Sequence, residues 1–192
     1  MTTALRRATY ADIEALPPGV TGEILGGELF TSPRPATRHA VVASGLGAFV
    51  GGPFGFLPGG PGGWWILDEP ELHLDVDPDY PVIVPDLAGW RRARVPDLGD
   101  GAAIDIVPDW VCEILSPSTH AIDRALKLPF YARAGVSHVW LLDPLAQTLE
   151  VYRLDGETWR LVRVWRGDTT VRAEPFDAVE IPLGLLWKRT TD

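Results

Sequence analysis

The chain has 192 residues and a formal net charge of −9 at pH 7, with 46% hydrophobic and 22% charged residues. This composition is ordinary for one globular domain, 1–192, and excludes a disordered chain. The acidic balance argues against a protein that coats nucleic acid, because nonspecific affinity for DNA depends on neutralising phosphates with Lys and Arg. It still allows a local basic groove, or a site where metal ions supply the positive charge.

Cysteine usage and the N-terminal segment indicate the compartment. The only cysteine, Cys112, leaves no partner for a disulfide within the chain and excludes a zinc site built from cysteines. Residues 1–10 have no apolar run after their two arginines, and no apolar run in the sequence approaches the length of a membrane span. We therefore expect a cytoplasmic protein.

The N-terminal third predicts a short helix, an extended segment and a longer helix. Thr9 can cap a helix over residues 11–16, and Gly26-Gly27 predicts a turn within the extended segment 23–30. Apolar residues among small ones over 37–50 favour a helix packed closely on a sheet. Glycine and proline dominate residues 51–63, which predicts an irregular surface loop.

The rest of the chain predicts a sheet with one further helix. Short apolar runs bounded by turn residues indicate seven strands, at 64–67, 71–75, 82–90, 110–115, 139–142, 149–154 and 159–164. A helix is predicted over 119–134, where apolar residues recur every four positions. Turn sequences between the last three strands favour an antiparallel meander. The expected fold class is therefore α/β (α+β).

Glu113 is an acidic residue inside an otherwise apolar strand. Val111 and Leu115 share its face, whereas Cys112 and Ile114 lie on the other. An unpaired charge in such a place is costly, so Glu113 should bind a cation, pair with a basic residue or face a cleft. A structural ion pair with a nearby arginine is the simpler alternative.

Asp86 interrupts a second apolar strand in the same way. Pro-Asp also occurs at Asp79, Asp97 and Asp109, so the dipeptide alone has little weight. Asp109 precedes Glu113 on the same predicted strand, whereas Asp86 is distant enough in sequence to lie on a neighbouring one. Two carboxylates on neighbouring strands are the usual oxygen donors for Mg²⁺ or Mn²⁺.

The helix after Glu113 carries a polar stripe. Asp123, Lys127 and Tyr131 are four residues apart and therefore share one helix face, which can meet the carboxylates. A lysine directed at phosphate or at the attacking water would stabilise the charge that develops in phosphodiester hydrolysis. Taken alone, Asp123 and Lys127 are better explained as a weak surface ion pair.

These residues belong to a longer pattern that resembles a known family. The pattern comprises Pro85-Asp86, Glu-Ile-Leu-Ser-Pro-Ser-Thr at 113–119, Asp123, Lys127, Tyr131, Gly135-Val136 and Trp-Leu-Leu-Asp-Pro at 140–144. The chain resembles the Uma-two family of restriction endonucleases over most of its length. That family is similar to the PD-(D/E)XK nuclease superfamily, which implies a restriction-endonuclease-like mixed β-sheet flanked by helices, here with additional antiparallel strands.

The resemblance implies functional residues, a cofactor and partners. Asp86 and Glu113 would bind Mg²⁺ or Mn²⁺, Lys127 would be the catalytic lysine and Tyr131 would line the site. The superfamily pattern places its lysine two residues after the Glu, where this chain has Leu115, so the lysine must come from the helix. The implied substrate is DNA, and a homodimer is expected.

Two earlier residues match the family less specifically. Glu28 and His39 would be extra catalytic or metal-binding residues, acting directly or through water. A solvated strand end explains Glu28 equally well. At the start of a helix, His39 is more simply interpreted as a solvated or capping side chain.

Two other functions remain compatible with the same residues. One is a non-catalytic binding or regulatory module on the same fold, which the acidic charge favours. The other is a metal-dependent hydrolase of small phosphorylated molecules. A basic groove leading to Glu113 would favour the nuclease. The arginines available for such a groove are Arg91, Arg92, Arg94, Arg124 and Arg133.

Overall fold

The structure, a computed structural model, describes residues 6–32 and 34–187. The short helix α1 (Tyr10–Glu14) begins after Thr9, which forms a reciprocal capping box with Asp12. A hairpin follows, formed by β1 (Thr21–Leu25) and β2 (Glu28–Ser32). Gly26 and Gly27 both have positive φ, as the tight hairpin turn requires.

A six-stranded mixed sheet forms the centre of the fold. Its strands are β3 (Trp64–Asp68), β4 (Leu87–Arg91), β5 (Trp110–Ile114), β6 (His138–Asp143), β7 (Thr148–Asp155) and β8 (Thr158–Arg166). They lie in sequence order across the sheet, and β5 and β6 are the parallel pair while the other neighbours are antiparallel. The predicted meander is confirmed by β6, β7 and β8.

Helices cover both faces of this sheet. The helix α2 (Thr37–Gly51) packs on one face, and the crossover between β5 and β6 covers the other. The crossover comprises α3 (His120–Ile122), a π-helical turn (Asp123–Lys127) and α4 (Leu128–Ala134). The chain then adds a small two-stranded sheet, β9 (Thr170–Val171) with β10 (Ile181–Pro182), and α5 (Leu183–Trp187).

The strand β5 is buried from both sides. Cys112 and Ile114 belong to the core beneath α2, whereas Val111 and Leu115 belong to the core beneath α4. This alternation is the one predicted from the sequence, and it places Glu113 on the α4 side. Because β4 runs antiparallel to β5, the start of β4 lies beside the carboxyl end of β5. Side chains just before β4 therefore meet those at the end of β5.

Two strand predictions were wrong in part. Residues 71–75 form no strand, and Leu72 makes only isolated bridges. The predicted strand over 82–90 is regular only from Leu87, although Val82 and Ile83 also form isolated bridges. Prolines at positions 81 and 85 explain the interruption, since proline has no N–H for a sheet hydrogen bond. As a result, Asp86 lies in a bend before β4.

The loop prediction for 51–63 was also wrong in part. The helix α2 continues into a π-helical turn, Gly52–Phe56, and irregular structure begins only afterwards. The combined helix, Thr37–Phe56, is long and apolar enough to span a membrane by length and composition, contrary to the sequence-based expectation. Core helices of soluble proteins pass the same test, and Val42, Leu46 and Val50 of this helix pack in the core.

Proline in the crossover helix is accommodated by the π-helical turn. Pro129 lacks an N–H, and its ring would clash with the carbonyl four residues earlier in a regular helix. The turn Asp123–Lys127 ends two residues before Pro129, and the N–H of Leu128 bonds to the carbonyl of Asp123. The π-helical turn leaves Lys127 and Tyr131 both directed into the protein, where each is at least 96% buried.

Candidate active site

Lys127 lies at the centre of a buried polar cluster. Its side chain is 4% exposed, and its ammonium nitrogen lies 2.8 Å from Glu23 Oε1 and 2.9 Å from the carbonyl oxygen of Val84. Glu113 Oε1 is 3.2 Å from the same nitrogen, and Asp123 Oδ1 is 4.0 Å away. Lys127 therefore links the hairpin, the bend before β4, the strand β5 and the crossover helix.

Glu113 is held by two donors from the crossover helix. The Tyr131 hydroxyl donates to Glu113 Oε1 at 2.5 Å, and Lys127 Nζ donates to Oε2 at 3.4 Å. Glu113 is 2% exposed, and its basic partner is Lys127, not an arginine as the structural alternative had it. The two donors fix the carboxylate at the carboxyl end of β5.

Asp86 is fixed by the neighbouring strand and by α2. Its Oδ2 accepts the backbone N–H of Ile114 at 2.6 Å, and its Oδ1 lies 3.0 Å from His39 Nε2. The Asp86 and His39 side chains are 17% and 15% exposed, so this side of the cluster is more open to solvent than the Lys127 side. His39 thus contacts Asp86 and is not simply a solvated or capping residue.

The cluster contains more acid than base. Four carboxyl groups, those of Glu23, Asp86, Glu113 and Asp123, share Lys127 and His39 as their nearby cations. Burial raises the pKa of Glu113 well above its usual value, and the other three acids add to this against the opposing charge of Lys127. The site therefore favours bound cations or protons.

The acids of the cluster raise the pKa values of both basic groups, Lys127 and His39. Burial alone would lower the pKa of Lys127, but the charges of Glu113, Glu23 and Asp123 outweigh burial and raise it. Burial also opposes protonation of His39, and the hydrogen bond to Asp86 and its charge outweigh that effect, so the pKa of His39 is raised. Lys127 is accordingly a permanent cation at neutral pH.

Comparison with known proteins identifies the family. A family model described as "Putative restriction endonuclease", Uma2, matches residues 8–184. The chain belongs to this family. A crystal structure titled as that of a putative nuclease belonging to DUF820, from Anabaena variabilis, has a TM-score of 0.68 at 22% identity over 94% of this chain and 97% of that chain. A search of the curated proteins gave no significant match.

The comparisons confirm the fold class and the nuclease-like family predicted from the sequence. The structure also shows which lysine lies beside Glu113. Leu115 packs in the core beneath α4, and the ammonium of Lys127, from the crossover helix, lies beside Glu113 instead. A lysine from the helix therefore reaches the acidic residue at the end of β5.

The hairpin contributes Glu23, which the sequence analysis did not single out. Glu23 Oε1 accepts the N–H of Val84 at 2.8 Å and contacts Lys127. Glu28 lies instead at the exposed start of β2, where it lines an open cleft with Arg6 and Arg7. The structure does not bring Glu28 to the cluster. No local signal in the sequence separates Glu23 from Glu28, because the contacts of Glu23 are with the distant residues Val84 and Lys127.

The arginines proposed for a basic groove have other contacts. Arg92 donates to the carbonyls of Trp64 and Gly55, and Arg94 pairs with Asp109. These two residues follow β4, at the end of the strand opposite to Asp86. Arg91 lies over Trp64, Arg124 pairs with Glu150, and Arg133 pairs with Asp77. None of the five contacts Glu113 within the described ranges 6–32 and 34–187.

The donor set fits a hard divalent cation. Asp86 and Glu113 offer carboxylate oxygens from adjacent parts of the sheet, and the surplus of acids favours a bound cation or protons. Mg²⁺ keeps several waters and takes one or two protein carboxylates. Over residues 6–32 and 34–187, no three His, Cys, Asp or Glu side chains converge to enclose an ion.

The titration of Asp123 gives a first testable prediction. Burial raises the pKa of Asp123 from 3.8 to about 6, against the opposing charge of Lys127. The folded protein thus binds this proton more tightly than the unfolded chain does. The stability that the bound proton contributes is fully present below pH 3.8 and is lost as the pH rises through about 6. In metal-free buffer, Asp123→Asn should gain stability relative to wild type over that range, by about 1–3 kcal/mol.

Chemical denaturation at several pH values measures this difference. Asp105→Asn is the matched control, because Asp105 is exposed. The control should follow the wild-type curve at every pH. If Asp123→Asn also follows it, the acid does not retain a proton in the folded state.

Proposed function

We propose that this chain is a metal-dependent endonuclease that hydrolyses phosphodiester bonds in DNA. The observation that carries the proposal is the arrangement of the partly exposed Asp86 with the buried Glu113 and Lys127 at one end of the sheet, with more carboxylates than bases around them. Membership of a family described as restriction endonucleases supports the reaction class. The site residues, the metal and DNA itself are part of the proposal.

Asp86 and Glu113 would hold Mg²⁺ or Mn²⁺. When bound there, the cation would act as a Lewis acid on the phosphoryl group and would lower the pKa of a coordinated water. The chain itself supplies orientation. His39 and the N–H of Ile114 fix Asp86, and the Tyr131 hydroxyl fixes Glu113.

Lys127 would stabilise negative charge as the phosphodiester is attacked. Its ammonium is positioned by Glu23 and the carbonyl of Val84, and it lies beside Glu113. Preorganised positive charge in a site shielded from water lowers the barrier more than the same charge in solvent does. The proposed role of Tyr131 is to hold Glu113, and the proposed role of Glu23 is to hold Lys127.

The more open side of the cluster suits an approaching phosphate. His39 belongs to the first helical turn of α2, where backbone N–H groups point outward and the helix dipole is positive. Ala36 at the N-cap offers no side-chain hydrogen bond to these N–H groups, and Arg38 is exposed beside His39. These features add positive charge at the start of α2, which contacts Asp86 through His39.

A cleavage assay tests the proposal directly. The wild-type protein should nick and linearise supercoiled plasmid with Mg²⁺ or Mn²⁺, and EDTA should stop the reaction. Asp86→Asn, purified in parallel, should lose at least about 99% of the rate, since one metal ligand is removed. Equal cleavage by both proteins would indicate a contaminating nuclease and would contradict the assignment.

A non-catalytic binding module remains the second candidate. The observation in its favour is that the five arginines expected to line a basic groove have contacts away from Glu113. The chain also has a net charge of −9. This candidate predicts no cleavage of plasmid, of single-stranded DNA or of the small diester bis-p-nitrophenyl phosphate. Cleavage of the small diester alone would favour a hydrolase of small phosphorylated molecules.

We also propose that the protein is a cytoplasmic homodimer. The free, buried Cys112 supports a reducing compartment. An exposed strand at one edge of the sheet supports association with a second copy.

A further inference from the structure

The strand β8 is a long, open edge of the central sheet. It has nine residues and pairs with β7 on one side. On its other side, no strand within residues 6–32 and 34–187 pairs with it. An open edge presents unpaired backbone N–H and C=O groups, which can pair with another strand. Natural proteins usually shorten or cover such an edge, so its length here needs an explanation.

Two exposed apolar side chains lie together on one face of β8. Leu161 pairs with Tyr152 and Val164 pairs with Glu150, so both lie on the same face of the sheet. A register shift leaves Val162 without a partner on β7, which is why residues three apart share a face. Leu161 is 50% exposed and Val164 is 48% exposed.

The remaining large side chains of β8 alternate in the same way. Trp159 and Arg166 pair with even-numbered residues of β7 and therefore share the face of Leu161. Arg160 and Trp165 pair with odd-numbered residues and lie on the opposite face. Each face of the strand thus carries one tryptophan and at least one arginine at well separated positions. Both tryptophans are partly buried: Trp159 donates to the carbonyl of Leu128, and Arg163 of the same chain lies over Trp165.

We propose that β8 pairs antiparallel with β8 of a second copy of this chain, about a two-fold axis between Val162 and Arg163. Directly opposed residues of antiparallel strands share a face, and this register satisfies that condition on both sides of the bulge. The matched pairs, each formed twice, are Leu161 with Val164, Trp159 with Arg166 and Arg160 with Trp165. The first pair is apolar and the other two join a guanidinium to an indole ring.

Charge favours the antiparallel direction. Residues 158–166 contain three arginines and no acid, so a parallel, in-register pair would align like charges. In the proposed register, Glu157 lies diagonally opposite Arg166 of the second copy, within reach of a long side chain. A shift of one residue would oppose Leu161 to residues of the other face, and the apolar contact would be lost.

The same arginines could instead contact phosphates of nucleic acid. Arg160, Arg163 and Arg166 project from β8 on an acidic protein, and phosphate contacts are made mainly by such residues. Two exposed aliphatic side chains on an open backbone edge fit a strand better than a phosphate backbone. A second copy of the chain and a nucleic acid predict different experimental results.

Sedimentation velocity of the wild-type protein and of a Leu161→Lys, Val164→Lys double variant tests the interface. The wild type should be dimeric, and the double variant should be monomeric at the same concentration, with dimer affinity reduced at least about tenfold. Leu145→Lys is the control, because Leu145 is 59% exposed in the turn before β7. This control should remain dimeric. A monomeric wild type, or a dimer unaffected by the two lysines, would overturn the proposal.

A cysteine pair tests the register. Leu161→Cys combined with Val164→Cys should give a disulfide-linked dimer with oxidised glutathione, because directly opposed Cα atoms are about 4.5–5.5 Å apart. Native Cys112 is fully buried and should not react. Leu161→Cys alone should give no covalent dimer. A crosslink with the single variant, or none with the pair, would contradict the register.

The nucleic-acid alternative has its own outcome. If the chain stays monomeric and Arg160→Glu weakens its binding to DNA, then β8 is a nucleic-acid surface and the dimer proposal is overturned. None of these measurements requires cleavage. Their failure would leave the proposed nuclease site untouched, and the failure of the nuclease assay would leave the dimer untouched.

Discussion

Glu113→Gln should abolish DNA cleavage while the protein remains folded. Glutamine has the shape of glutamate and keeps a carbonyl oxygen that can accept the Tyr131 hydroxyl hydrogen bond. It cannot supply the negative charge that a divalent cation needs. Loss of a metal ligand removes several kcal/mol of transition-state stabilisation, so the rate should fall roughly 1,000-fold.

Stability should change little in the same variant. Burial disfavours the charged form of Glu113, as its raised pKa shows, so a neutral amide is tolerated there. We expect the free energy of unfolding to change by no more than about 1.5 kcal/mol, the size of one buried hydrogen bond. Glu150→Gln is the matched control, since Glu150 also has buried area and two partners, Arg124 and Tyr152. If both variants retain activity, Glu113 is not a catalytic residue.

Lys127→Met should be the most destabilising single substitution in the cluster. Methionine fills a similar volume but leaves Glu23, Glu113 and Asp123 without their shared cation. Breaking a buried charge network by removing one partner costs about 3–5 kcal/mol. The raised pKa of Lys127 means that its stabilising charge is fully present at neutral pH, so the loss should appear there.

The pH and metal dependence of this variant distinguish charge from packing. The pKa values of Glu113 and Asp123 are already raised by burial, so lowering the pH toward 5 favours their neutral forms and part of the lost stability should return. Mn²⁺ should stabilise the variant more than it stabilises wild type, because the cation would replace the ammonium. Arg124→Met removes a partly exposed charge from the same helix and should cost no more than about 1 kcal/mol. Equal losses in both variants, independent of pH, would contradict the account.

The sequence located the catalytic candidates in the second half of the chain better than those in the first. Glu113, Lys127 and Tyr131 are encoded by a strand and the following helix, so their spacing alone predicts that they approach each other. In the sequence, Asp123 and Lys127 resemble a surface ion pair, because no neighbouring residue indicates that they are buried. A distant segment contributes to their burial, since Glu23 of the hairpin contacts Lys127.

The less predictable features depend on contacts between distant segments. Glu23 and Glu28 are both acids in one hairpin, and only docking against Val84 and Lys127 selects the first of them. The π-helical turn is likewise invisible to a four-residue periodicity, although a proline such as Pro129 is incompatible with the hydrogen bonds of a regular helix interior. Local patterns predict elements, whereas the choice between neighbouring acids requires the packed structure.

Calorimetric titration of Mn²⁺ into the wild-type protein and into Asp86→Asn tests the central claim, because it probes the proposed site without a substrate. We predict measurable binding to wild type and its loss in Asp86→Asn, a variant in which only one oxygen donor changes. The site would then be a cation site, and the surplus of carboxylates beside Lys127 would be balanced by the metal. Equal binding to both proteins, or no binding to wild type, would contradict a metal held by Asp86 and Glu113.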